Sequence, residues 1–352
     1  MKLFKSLISL CAIIGLLVIL TGCPTVAIRE DSQKPQGMVN FTFFDTVSYV
    51  YSYAGDSQED FETRANGVFE VLGEYHRLFD IYYEHSGVTN LKTLNLNAGG
   101  EAMVVDERLV DFLLYAKELY EVTDGEMNIM MGSVLRLWHD AREGGVSIPS
   151  AEALNEAALH TSIDLLEIDE ENNTVRITDP DASIDVGALG KGYATERAAE
   201  YLKSIGAESY VLNIGGNIRI IGTKTDGSGW KTGIKNPADP ETYAKYLTLS
   251  DISCVTSGNY ERYYTVDGKR YHHIIDKDTL MPSEHFASVT ILTEDSGLAD
   301  ALSTALFSMS HEDGLKIAEE IGGVEVIWIT PEGEILTTDG IAALEYSVNG
   351  DQ

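Results

Sequence analysis

Cysteine, positive charge and internal repetition are all scarce in this chain. Cysteine occurs three times in 352 residues, at positions 11, 23 and 254. Cys11 falls inside an N-terminal apolar run and Cys23 just after it. A chain cut at Cys23 could form no disulfide with Cys11, and Cys254 reads as a buried, inert thiol. Stability must then come from an ordinary apolar core. Basic residues number 25 against 56 acidic ones, for a formal net charge of −31. Nucleic-acid binding needs a basic footprint, so that class is excluded. The acidity suits an exported protein kept soluble and clear of anionic lipid headgroups. An anionic ligand would then need a locally positive site or a metal ion. No repeat, low-complexity tract or linker divides residues 39–347. The Gly-x-Ser-x-Gly elbow is missing, so Ser257 in Thr256-Ser257-Gly258-Asn259-Tyr260 does not read as the nucleophile of a hydrolase triad.

What is present begins with a leader. Lys2 and Lys5 precede an almost wholly apolar run over 7–20, which is short for a membrane span. Leu20-Thr21-Gly22-Cys23 is similar to a bacterial lipobox, which would make Cys23 the lipidated first residue of the mature chain. The expected organisation is a signal peptide over 1–22, a flexible tether over 23–38 and one domain over 39–348. Such a protein is exported and lipid-anchored to a membrane.

Within the domain, apolar residues at helical spacing (Phe61, Ala65, Val68, Leu72) predict a helix near 59–79. Asp106 and Gly125 bracket a second helix, and Ser150 caps a short one. The runs at 165–169 and 174–178 predict a hairpin, and 93–100 reads as a loop. Strands are expected through 218–275, at 286–293 and 324–330, and in the runs around Glu334 and Ala342. Helices are expected at 296–309 and 312–321. Strands cluster instead of alternating strictly with helices, which indicates a single α+β domain.

The chemistry centres on Asp185-Val186-Gly187-Ala188-Leu189-Gly190-Lys191-Gly192-Tyr193. An extended run leads into three glycines and a lysine before a helical segment. That arrangement is either an anion cradle at a helix start or a tight strand-to-helix turn. It fits neither the Walker spacing nor the dinucleotide fingerprint. Asp300 and Thr304 are four apart and share one face of a helix. A carboxylate with a hydroxyl suits a hard cation such as Mg²⁺, although a charged helix start with an inward Thr is equally compatible. His272 and His273 sit side by side on an expected strand and face opposite ways. Only one of them can serve a given site, as a base or phosphate partner.

Taken in order, Phe44-Asp45-Thr46, Leu94-Asn95, Thr123-Asp124-Gly125, the Asp185–Tyr193 motif and Asn213-Ile214-Gly215-Gly216-Asn217 form one recurring set. It continues with Asn236-Pro237, Thr256-Ser257-Gly258-Asn259-Tyr260, His273-Ile274-Ile275-Asp276 and Ala299-Asp300 through Thr304. This series closely resembles the ApbE family of FAD:protein FMN transferases over nearly the whole domain. The resemblance implies an ApbE-type (T-fold-like) domain of clustered, mostly antiparallel strands with packed helices. It implies an enzyme that cleaves FAD, passes FMN to a threonine hydroxyl of an acceptor protein and releases AMP, with Mg²⁺ as cofactor. The acceptor would be a membrane redox subunit carrying a flavinylation-type threonine motif.

By position, the resemblance places FAD against Phe44, Tyr82, Glu126, Met127, Asn128, Asp185, Lys191 and Ile274. The Ala188 carbonyl, Asp300 and Thr304 would hold Mg²⁺, and His273 is the candidate base. The chain departs from the pattern at several points. Phe44 replaces a Met, and Met127-Asn128 replace Phe-Asp. Lys277 stands where Pro is usual, and Leu280 where Gly is usual, so the loop beyond His273 is expected to take a different shape. A metal-dependent FAD pyrophosphatase shares every one of these groups except the acceptor. A flavin-storage lipoprotein would not need Asp300 and Thr304.

Overall fold

The structure is a computed structural model that describes residues 26–28 and 35–346. Strands β1 (Val26–Ile28), β2 (Gln36–Asn40) and β3 (Ser48–Ser52) come first, followed by helices α1 (Gln58–Phe79) and α2 (Leu91–Leu96). Strand β4 (Met103–Val104) and helices α3 (Glu107–Val122), α4 (Gly132–Gly144) and α5 (Ala151–Ala158) precede the hairpin β5 (Leu166–Asp169) and β6 (Thr174–Ile177). Helix α6 (Gly190–Ser204) leads into β7 (Tyr210–Ile214), β8 (Asn217–Ile221), β9 (Trp230–Asn236), β10 (Asp239–Leu249) and β11 (Ser253–Gly258). Next come the hairpin β12 (Tyr263–Val266) and β13 (Lys269–His272), then β14 (Ser288–Thr293) and α7 (Ser296–Ala305). Helix α8 (His311–Ile321), strands β15 (Glu325–Ile329) and β16 (Ile335–Thr337), and short α9 (Ile341–Leu344) close the chain.

An eight-stranded sheet ordered β16-β15-β14-β11-β8-β7-β3-β2 organises the molecule, and its ladders are antiparallel. Both faces of its centre are covered, so strand β7 is buried at every position. Its side chains alternate between two cores, as a pleated strand requires. Tyr210, Leu212 and Ile214 join the core under α1, α6 and α7, while Val211 joins Trp230, Ile234, Leu247 and Leu249 of the β9–β10 layer. Smaller sheets β1-β9-β10, β4-β6-β5 and β12-β13 surround this centre. The α+β class expected from strand clustering is what the chain adopts.

Helix α1 follows its sequence closely. The Ser57 hydroxyl accepts the Asp60 N–H at 3.1 Å, acidic residues fill the first turn, and Phe61, Ala65, Val68 and Leu72 form the buried stripe. Three expectations need correction. Residues 91–96 are helical, because the Asn90 side chain accepts the Thr93 N–H at 3.0 Å and caps α2. The run near Ala342 is the helix α9, with Ile341 buried against the β9–β10 layer. The span expected as tether contributes β1, which pairs with β9 from Val26 opposite Ile234, and most of β2, which pairs with β3. The signal peptide over 1–22 and Cys23 lie outside the described residues. Cys254 is free and buried, its thiol pushed up to about 12 by burial, in keeping with an inert role.

Candidate active site

The site is built where α6 begins. Asn95 clamps the approach, its side chain donating to the Ile184 carbonyl at 2.9 Å and accepting the Ile184 N–H at 2.7 Å. Asp185 follows, with its N–H on the Ile129 carbonyl at 2.8 Å and its Oδ1 accepting the Gly187 N–H at 2.9 Å. The Val186 carbonyl accepts from Leu189 and Gly190, which starts the helix. Two turns of chain are thereby fixed before any ligand arrives.

The next contact caps the first turn of α6. Gly192 is the third residue of that helix, and its N–H, like the others of a first turn, has no partner within the helix. It donates to Asp300 Oδ2, at 2.8 Å. Among the described residues no backbone N–H donates to the Ala188 carbonyl, which precedes the helix. Asp300 projects from α7, is only 4% exposed and also has Lys191 Nζ at 3.6 Å from Oδ2. Lys191 Nζ reaches the Gly187 carbonyl as well, at 3.1 Å. One helical turn past Asp300, the Thr304 hydroxyl lies 3.4 Å from Ser257 Oγ, which is itself 2.8 Å from Ser303 Oγ. The Ala188 carbonyl, the buried Asp300 carboxylate and the Thr304 hydroxyl are hard oxygen donors on the adjoining α6 start and α7, and the Lys191 Nζ sits beside the carboxylate. These residues fit a divalent cation of the Mg²⁺ type. The glycine N–H groups do not form a free anion cradle, since carboxylates take those of Gly187 and Gly192.

His273 follows β13 directly. Its Nδ1 is 3.2 Å from the Arg262 carbonyl, an acceptor only, so Nδ1 carries the proton and Nε2 keeps its lone pair. Burial, with the neighbouring charges of Arg262, His272 and Lys191, lowers this imidazole to about 3. His272 points the other way, into the protein, and bonds the Ser283 carbonyl at 2.8 Å. The opposed orientation expected of adjacent strand residues is observed. Burial raises the Asp185 carboxyl, against the pull of His139, Lys191 and Arg262. Asp185 in turn acts on Tyr82, along with Arg262 and Arg142. Tyr82, Asp185, Lys191, His273 and Asp300 therefore belong to one locus.

The aromatic wall is held by one carboxylate. Asp80, buried at the C-terminal end of α1, accepts the N–H groups of Tyr82 and Tyr83 at 2.7 and 2.9 Å, and His85 Nε2 lies 2.9 Å from its other oxygen. These bonds outweigh burial and keep Asp80 below the usual carboxylate range. Tyr82 is 58% exposed with its ring 5.7 Å from His139. The N–H of Phe44 donates to His76 Nδ1 at 3.3 Å, and Phe44 and Asp45 both have positive φ (54° and 52°). Consecutive left-handed residues that are not glycine store strain. His76, Asp80 and His85 bring three ligand-type atoms within 4.8 Å of one another. With His76 Nδ1 accepting from Phe44, its Nε2 holds the proton, and Asp80 is already saturated with donors. The trio works as a hydrogen-bond frame for Phe44 and Tyr82.

Other expected contacts fall elsewhere. Met127 is 2% exposed within the core, and Ile274 is buried there too, so neither side chain faces the locus. The Asn128 amide is used internally, donating to the Thr161 carbonyl at 2.9 Å and accepting the Met130 N–H at 2.8 Å. The resemblance placed these positions at the flavin by position alone, but the apolar side chains pack into the core and Asn128 closes its own turn. Glu126 is half-buried and pairs with Lys277 Nζ at 3.2 Å, and burial raises it to about 7 despite that partner. Leu280 takes φ 58°, the conformation a glycine would adopt freely, and is anchored by Trp138 Nε1 on its carbonyl at 2.9 Å. The chain thus takes a left-handed turn at a leucine. Arg262, His139, Asp80 and Lys277 were not singled out as site residues from the sequence. Only Arg262 carried a signal, lying two residues beyond the Thr256–Tyr260 motif.

Comparison with known proteins agrees with this arrangement. The sequence model of the ApbE family matches residues 44–328. A Klebsiella pneumoniae protein named FAD:protein FMN transferase is 30% identical over 277 residues, covering 78% of this chain and 84% of that one. A Treponema pallidum protein of the same name is 31% identical over 313 residues, covering 84% and 85%. Among solved structures, the ApbE protein of Thermotoga maritima superposes with a TM-score of 0.79 at 30% identity, over 89% of this chain and all of that one. The flavin transferase ApbE of Vibrio cholerae gives 0.74 at 25% identity, over 88% of this chain and all of that one. The Asn95-clamped strand, the α6–α7 contact and His273 thus sit on a shared scaffold, and this chain belongs to the ApbE family.

Proposed function

We propose that this chain transfers FMN from FAD to a threonine hydroxyl of an acceptor protein. The P–O bond to threonine forms, the pyrophosphate P–O bond breaks, AMP leaves, and the threonine proton passes to His273 Nε2. The observation that carries the proposal is the bond from the Gly192 N–H to Asp300 Oδ2. It brings a buried carboxylate of α7 to the first turn of α6 beside Lys191, one helical turn from Thr304, in a chain of net charge −31. Mg²⁺ held by Ala188, Asp300 and Thr304 would neutralise pyrophosphate charge and the charge developing on AMP.

The remaining work falls to side chains. Lys191 offers a second positive charge to the phosphates. Ser257 and Ser303 hold the Thr304 hydroxyl in place. His273, neutral and with its tautomer set by Arg262, presents a lone pair to the acceptor hydroxyl. Its basicity is low in the free chain, and bound phosphate anions favour the imidazolium and raise it. Phe44 and Tyr82, framed by His76 and Asp80, offer ring faces for the flavin or adenine.

Cys23 belongs to the same proposal as the lipid anchor of an exported enzyme, since covalent flavin keeps an exported redox partner from losing its cofactor. The test is to incubate the protein with FAD, Mg²⁺ and a peptide carrying an Asp-Gly-x-Ser/Thr-Gly-Ala-Thr segment. Covalent FMN on the peptide is the expected product. AMP release without it would make the enzyme a pyrophosphatase, and neither product would reduce it to flavin binding.

A further inference from the structure

We propose that the loop over 145–149 and the neighbouring strand β12 form the docking surface for the acceptor protein, which lays its threonine-bearing segment there as an extended, acid-flanked strand. The proposal rests on the transferase reading and adds where the acceptor binds.

Five observations converge on this surface. Gly145 ends α4 in a left-handed conformation (φ 66°) and turns the chain outward, leaving Val146 82% exposed and Ile148 exposed beside it. Neighbouring apolar side chains left in water at the mouth of a site mark an interaction surface more than chance. The loop is joined to the hairpin, because the Tyr264 hydroxyl donates to the Ser147 carbonyl at 3.3 Å.

The hairpin in turn leads to the chemistry. β12 and β13 pair only with each other among the described residues, so the outer edge of β12 keeps backbone groups free of any ladder. Such an edge accepts an added strand. Arg262, the residue before β12, holds His273 through its carbonyl at 3.2 Å. A segment running along β12 toward its start therefore arrives at the base.

Charge supplies the chemistry of the partner. Arg142 and Arg262 are in no ion pair among the described residues, although the chain holds 56 acidic residues to 25 basic ones, while Arg270 lies over the Tyr263 ring at 4.2 Å. Arg142 and Arg262 also act on Tyr82, so they border the mouth. Glu143 and Asp267 lie close by in sequence without cancelling them in pairs. In so acidic a molecule, unpaired arginines beside an exposed apolar loop suit a segment carrying carboxylates.

The probe is a fluorescein-labelled peptide containing Asp-Gly-Ala-Ser-Gly-Ala-Thr, titrated by anisotropy against the full chain and against a Val146→Asp/Ile148→Asp double variant. Both positions are exposed and lie outside the catalytic groups, so the variant's thermal unfolding should match that of the unmodified chain. The expected result is binding by the unmodified chain, weakened at least tenfold in the variant and at least tenfold for a peptide N-methylated at alternate residues. Equal binding by chain and variant, no binding at all, or indifference to N-methylation would overturn the docking surface. Binding that follows the expected pattern without flavin transfer would uphold the surface and overturn the catalytic proposal instead.

Discussion

The Gly192 N–H meets Asp300 Oδ2 at 2.8 Å, and the two helices carrying these residues cross with no room for a β-carbon between them. A Cβ at residue 192 would stand 2.4 Å from Asp300 Cβ and 2.3 Å from the Ser296 carbonyl oxygen. The third glycine of the motif is therefore a packing residue whose absent side chain lets a carboxylate reach the first turn of α6. That contact gives a first-turn N–H, which has no partner within the helix, a carboxylate acceptor.

Gly192→Ala should separate α6 from α7. Overpacking of this kind costs about 1–3 kcal/mol, which thermal unfolding would register. Displacement of Asp300 should cost catalysis more, on the order of 10²-fold in AMP release. A variant with lowered stability and full activity would detach the glycine from the site.

His273→Ala should lower transfer by roughly 10²–10⁴-fold, the usual contribution of a positioned base. Because burial holds His273 at about 3 in the free chain, kcat/KM should show no limb from this residue above pH 5. The limb belongs in kcat, at a higher pH, since FAD phosphates favour the imidazolium. A free-enzyme limb near pH 6.5 that vanishes in the variant would contradict the burial argument.

Glu126 gives a stability test with a definite sign. Its folded value, about 7, lies above its ordinary 4.5. Between those values the folded chain binds more protons than the unfolded one, so this residue makes stability fall as pH rises from about 4.5 to 7. Lys277, shifted up from its ordinary 10.5, stays charged across that window. Glu126→Gln should therefore raise Tm at pH 8 relative to the parent and leave it nearly unchanged at pH 4.5. The same Tm difference at both pH values would show that burial does not govern this carboxyl.

Asp80→Ala should loosen the aromatic wall without touching the cation site. Two N–H groups and His85 lose their acceptor, and a buried donor left unpaired costs about 1–3 kcal/mol. KM for FAD should rise several-fold with a smaller change in kcat. An effect confined to kcat would place Asp80 in the chemistry instead of the frame.

Much of this was legible in the sequence wherever local rules decide. The stripe and caps of α1, the 166–177 hairpin, the shared face of Asp300 and Thr304, and the opposed histidines all follow from period and spacing. The residue series carried the family. Other features depend on contacts across the fold. Met127 and Ile274 turn into the core because only the assembled sheet decides which way a loop side chain points. Leu280 at positive φ runs against propensity, and burial in the α4 cluster with a Trp138 hydrogen bond compensates for it. Asp80 joins groups that lie far apart until α1 ends beside the loop after it.

The most direct test is mass spectrometry of the acceptor peptide after incubation with FAD and Mg²⁺, comparing the parent chain with Asp300→Ala. Peptide carrying FMN with the parent, and neither FMN-peptide nor AMP with the variant, is the expected result. FMN transfer by Asp300→Ala at the parent rate would contradict the assignment of the α6–α7 junction as the catalytic cation site.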